Sequence, residues 1–329
     1  MKSSFRLTPT QLLKVILLLN VIVNVRCSLS LAESIPKINT IHPNNSNISN
    51  NDACSNSNSM NINQSSIESS ISDFLNDFPS STRNEFHIQG WKWHTLSLIR
   101  DSKRLERLAH ELLNENIITD DSDSDNDNGN DNPLEKATKH VIDFNMKALH
   151  KIEKELFFPF LKQKLSTPKD PSIIPKDVQS AFENVISDIE NDRNYISKIA
   201  ITLKEQVRVA SLPNINNEKR IEAINNIAQM SSTLTYKTRS IYKKEEKYLI
   251  PAISILVPVK EQKSFSNKVL RNLGILDSRV HLVGMYDAVW EKDDETEREL
   301  FVSAIPYLPR MMIPRWRKAL YEPQAGVLD

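Results

Sequence analysis

Four long stretches of this chain repeat apolar residues at the 3.6-residue period of a helix. In the first, 84–116, Trp91, His94, Leu98, Leu105, Leu108 and Leu112 make one stripe. The second, 133–166, starts on Pro133, a favourable first-turn residue, and sets Met146, His150, Glu153, Phe157 and Phe160 on one face. The third, 176–210, carries Val178, Phe182, Val185, Ile189, Ile196, Ile199 and Leu203, with Asp192 and Arg193 filling the gap after Ile189. The fourth, 218–256, runs Ile221, Ile224, Ala228, Leu234, Ile241, Glu245, Leu249 and Ala252. Residues 259–329 add shorter amphipathic pieces around 268–276, 282–290 and 300–308, ending in a Met/Trp cluster at 311–316.

Polar residues inside these stripes are the candidates for chemistry. A glutamate on an apolar face is costly unless it is paired or binds a metal, which singles out Glu153 and Glu245. Each sits in the same local pattern. His150-Lys-Ile-Glu153 leads to Phe157-Phe158-Pro159, and Tyr242-Lys-Lys-Glu245 leads to Leu249-Ile250-Pro251. Positions three apart share a helix face, so each ring residue projects with its glutamate. Each proline is expected to bend or stop its helix. Glu246, four residues after Tyr242, is the alternative to Glu245, and a 100° rotation lets only one of the two point inward. His94 reads equally as a ligand or as a core histidine. Asp192 reads as an ion-pair partner of Arg193 or of a lysine, or as exposed, before it reads as an oxygen ligand.

Composition narrows the class. Five glycines in 329 residues disfavour a hairpin-rich fold and point to an all-α chain. Forty-two basic and 42 acidic residues cancel, so no bulk field draws the chain to nucleic acid. Residues 1–32 read as a cleaved secretory signal: Lys2 and Arg6 precede an apolar run over 12–25 that is short for a spanning helix. Localisation is therefore expected in the secretory pathway, secreted or lumenal, with an organelle reached through the endoplasmic reticulum as an alternative. The Asn- and Ser-rich segment 33–83 is expected to be disordered. Cys27 and Cys54 form no disulfide framework. The basic and aromatic cluster at 310–318 is expected to pack on its own bundle rather than dock on a membrane, leaving membrane contact to the signal segment.

The order and spacing of these motifs resemble the hemerythrin-like family of HHE cation-binding domains. His94 followed by Leu98-Ile99-Arg100, the run from His150 to Pro159, and the run from Tyr242 to Pro251 match three of its helices in turn, and the tail with Pro306, Pro314, Trp316 and Tyr321 is similar to extensions of some eukaryotic members. The resemblance covers roughly 85–258. It implies an up-down four-helix bundle over 84–258, with 259–329 a helical extension packed on it, and iron held by histidines and carboxylates. His94, His150 and Glu153 fall at ligand positions, and Glu245 or Glu246 at the fourth-helix carboxylate. The chain departs from the pattern where Ile241 or Tyr242 replaces a histidine, where Lys154 stands at the usual glutamate step, and where the third helix has no histidine. The expected function is a reduced cation site of His94, His150, Glu153, Glu245, Glu246 and Asp192, holding one or two irons or, alternatively, zinc. A metal-free helical scaffold is the alternative, ahead of a non-haem di-iron oxidase. The physiological partner expected is the metal ion itself.

Overall fold

A computed structural model describes residues 57–78, 83–118, 132–166 and 174–328, and among them the chain is all-helical with no strand. Residues 1–32, expected to be a secretory signal, and both cysteines lie outside the described residues. Helix α1 is Ser57–Asn76 and α2 is Gln89–Ile118. Helix α3 spans 133–166, α4 is Lys176–Ala210 and α5 spans 217–256. Then come α6 (Val259–Leu273), α7 (Ile275–Glu291), α8 (Glu295–Ala304) and α9 (Tyr307–Trp316). A last helical stretch continues from α9 to residue 328.

The starts follow local chemistry. The Asn132 side chain accepts from the Leu134 N–H ahead of Pro133, the Asn216 side chain accepts from Lys219 N–H, and Asp294 accepts from Glu297 N–H. Gly274, at φ 78°, supplies the left-handed turn between α6 and α7 that other residues resist.

The prolines neither stop nor break α3 and α5. Pro159 cannot donate to the carbonyl four residues back, and its ring crowds that turn. The helix answers with one wide π-turn, Glu153–Phe157, in which the Phe158 N–H reaches Glu153 O. The same solution recurs at Glu245–Leu249 before Pro251, where Ile250 N–H reaches Glu245 O, and at Arg317–Tyr321 before Pro323. Both singled-out glutamates therefore begin a π-turn, and both helices run on past their prolines.

Helix α5 packs between α2 and α4, α1 lies along α4, and α7 lies along α2. The expectation of disorder over 33–83 fails for its described part, 57–78. Ile71, Phe74 and Leu75 are buried in the main core, and Ile67 and Phe78 pack against it. These residues recur at helical spacing inside the Asn/Ser-rich tract. Each fully buried apolar side chain contributes about 1.5–3 kcal/mol, enough to hold the helix down. A second apolar cluster joins Trp93 of α2 to Val283, Val289, Phe301, Ile313 and Tyr321 of the C-terminal helices. There Gly284 allows a close approach: a Cβ at that position would lie 2.7 Å from Ser97 Oγ.

Candidate functional site: a buried guanidinium between two glutamates

Three helices each place one charged residue in the core. Glu153 from α3, Arg193 from α4 and Glu245 from α5 are 1%, 5% and 0% exposed. Arg193 Nη2 donates to Glu153 Oε1 at 2.6 Å and to Glu245 Oε1 at 3.1 Å. Trp91 Nε1 of α2 donates to the same Glu153 oxygen at 3.2 Å, and its ring stacks on Phe157. His150 sits at the edge. Its Nε2 lies 3.5 Å from Arg193 Nη1, and its Nδ1 is 3.4 Å from Ser197 Oγ. Since arginine only donates, His150 Nε2 accepts and its proton is on Nδ1.

The charges explain the protonation. Two carboxyl groups share one cation, so the pair holds a proton more strongly than free carboxylates do. Burial raises both, and for Glu245 the neighbouring Glu153 charge raises it further, well above the usual range. Burial, then Arg193 and His94, push the His150 imidazole well below its ordinary value.

His94 lies between this group and a second one. It is 1% exposed, and burial lowers it to about 4, against hydrogen bonding of the ring to Asn145, which favours the charged form. Its ring meets that of His281 from α7, with centroids 4.4 Å apart, and His281 stacks on Phe144. The second group centres on Asp101. Arg100 Nε and Nη2 donate to its Oδ1 at 2.9 and 2.7 Å, and Asn145 Nδ2 donates to its Oδ2 at 2.8 Å. His140 Nε2 is 3.4 Å from Oδ2. Arg100 also pairs with Asp287 at 3.3 Å and bonds the Tyr321 hydroxyl.

Of the expected ligands, Glu153, Glu245 and His150 converge on Arg193, and His94 stands nearby. The other two do not join them. Glu246 is exposed and accepts from Tyr242 Oη at 3.4 Å, because Glu245 takes the inward position. Asp192 pairs with Lys244 at 3.0 Å and Lys237 at 3.5 Å, both from α5, at a partly exposed edge of the contact between α4 and α5. The sequence did not single out Arg193, because Asp192 and Arg193 both fit the spacing between Ile189 and Ile196; in the structure Ile189, Arg193, Ile196, Ala200, Leu203 and Val207 are part of the buried stripe of α4. Trp91, Asp101, Asn145 and His281 carried no motif that pointed to the interior polar groups.

The expected metal does not fit this arrangement. A guanidinium is permanently charged, and here it already bonds both carboxylates. A divalent ion within roughly 4 Å of it would meet repulsion of several kcal/mol even at an effective dielectric of about 20. Both carboxyl groups are also held above the usual carboxylate range, and His150 Nε2 is turned to Arg193. Among the described residues, no group of three or more His, Cys, Asp or Glu is arranged to hold a metal ion. No protein-family model, no curated protein and no solved structure matches this chain.

Proposed function

We propose that this chain is a hemerythrin-like up-down bundle that serves as a metal-free helical scaffold, with Arg193 supplying the interior positive charge that metal supplies in the pattern it resembles. The observation that carries this reading is the pair of bonds from Arg193 Nη2 to Glu153 and Glu245, at 2.6 and 3.1 Å. The glutamates lie on the apolar faces of two helices, and a third helix delivers the counter-charge to both. Such a triad fixes helix register and rotation and performs no reaction, which favours a structural or interaction role over an oxidase.

The test is elemental analysis of the purified protein before and after incubation with iron(II) and with zinc, beside a His150→Ala/Glu153→Ala variant. The scaffold reading expects far less than one metal per chain and an unfolding midpoint that neither chelator nor metal moves. Stoichiometric metal that the double variant loses would overturn it and restore the cation site. Two irons per chain with an oxo-bridge absorption would restore the oxidase.

A further inference from the structure

The C-terminal helix α9 divides its side chains sharply. Ile313 is buried, and Trp316 packs against the second core cluster with Arg279 over its ring. The opposite face is open: Tyr307, Leu308 and Met311 are 69%, 54% and 60% exposed. Within the cluster expected to pack back on the protein, Ile313 is buried whereas Met311, Pro314, Arg315 and Lys318 are exposed. Pro314, Arg315 and Lys318 continue the exposed face, one and two turns on. Arg310 flanks it, its guanidinium 6.0 Å from the Tyr307 ring centre.

We infer that this face docks on an anionic lipid surface. Large apolar side chains at one end of an exposed helix face, with cations beside and beyond them, are the arrangement that lies in a membrane interface. Charge decides the kind of partner. Residues 300–321 contain Arg310, Arg315, Arg317 and Lys318 and no acidic residue, in a chain that is neutral overall. Arg317 is held by Asp287, which leaves Arg310, Arg315 and Lys318 for headgroup phosphates. Leu308 and Met311 would enter the acyl boundary while Trp316 and Ile313 keep the helix anchored to the bundle. No helix among the described residues is long and apolar enough to cross a membrane, so the contact proposed is peripheral. It is independent of whether the interior holds a metal.

The test uses the full chain with Cys27→Ser and Cys54→Ser, carrying an environment-sensitive fluorophore at Pro314→Cys on the exposed face. A probe there reads α9 whatever the N-terminal segment does. Vesicles of phosphatidylcholine with phosphatidylserine should shift its emission to the blue, and brominated lipid should quench it, whereas phosphatidylcholine alone should do neither. Each basic residue near an anionic surface changes binding roughly five-fold, so Arg315→Glu/Lys318→Glu should weaken the response at least about twenty-fold. Leu308→Ser/Met311→Ser should abolish the quenching, and unchanged circular dichroism will show that both variants fold. A probe that does not respond, or responds equally to both vesicles, overturns the proposal. So does a blue shift that grows with protein concentration without lipid, which would mean that a second copy of the chain covers the face.

Discussion

Glu245 and Asp101 are both acids with no exposed surface, on neighbouring helices, yet they hold their protons in opposite ways. Burial pushes each towards the neutral form. Around Asp101 the Arg100 charge, the approach of His140 and two bonds from the guanidinium outweigh that push, and the group is held well below the usual carboxylate range. Around Glu245 the one cation is shared, its closer bond goes to Glu153, and the second carboxylate adds its own repulsion. The number of donors and cations per acid, rather than depth, sets the protonation state of a buried carboxyl group. Two acids that share one arginine are thus shifted upward, whereas Asp101, which has two bonds from Arg100, one from Asn145 and His140 nearby, is shifted downward.

The largest effect expected is from removing the shared cation. Arg193→Ala should destabilise the fold by about 3–5 kcal/mol, because two buried carboxyl groups lose their partner. Replacing all three charges at once, Glu153→Leu/Arg193→Met/Glu245→Leu, should leave stability near that of the parent or raise it. Asp101→Asn should cost less, about 1.5–3 kcal/mol, since Arg100 keeps Asp287 at 3.3 Å. Denaturant unfolding measures all three, and an Arg193→Ala protein no less stable than Asp101→Asn would refute the contrast.

The next effect is the pH dependence. His94 titrates at about 4 in the fold and near 6.5 unfolded, so the unfolded chain binds the extra proton between those values. Stability therefore falls as pH drops from about 6.5 to about 4, by about 3 kcal/mol from His94 alone, with His150 and His281 adding in the same direction. Glu245 acts with the opposite sign. Its folded value is raised, so its contribution is present below about 4.5 and is lost as pH rises. Stability curves against pH should flatten in His94→Gln and steepen between about pH 4.5 and 6.5 in Glu245→Gln. An unchanged slope in His94→Gln would show that another group carries the acid sensitivity.

The smallest effect concerns the join between α2 and the C-terminal helices. Gly284→Ala should cost about 1–3 kcal/mol, because the new Cβ meets Ser97 Oγ at 2.7 Å. The Ser97→Ala/Gly284→Ala double variant should recover part of that loss, since the next neighbour, Tyr321, lies 3.6 Å away. Additive losses in the double variant would show that the approach is not limiting.

The apolar period placed the long helices where the structure has them: 84–116 against Gln89–Ile118, 133–166 and 176–210 without change, and 218–256 against 217–256. It also put Glu153 and Glu245 on inward faces. The same rule admits both Asp192 and Arg193, three and four residues after Ile189, and it is the packing that turns Arg193 inward. It also recovers α1 from Ile67, Ile71, Phe74 and Leu75, which low average hydropathy concealed in an Asn/Ser-rich tract.

By itself the sequence determined which residues share a helix face, because helical phase is local and depends only on spacing along the chain. Only the tertiary structure decided what those faces meet. The rotation and offset of one helix against another come from packing between residues far apart in sequence, and no local period encodes them. That Glu153 and Glu245 meet Arg193, and that the His94 ring lies against His281 of the C-terminal helices, comes from that packing. The energetic reason is that a buried charge binds whatever opposite charge the packed core delivers within about 3 Å. Here α4 delivers Arg193.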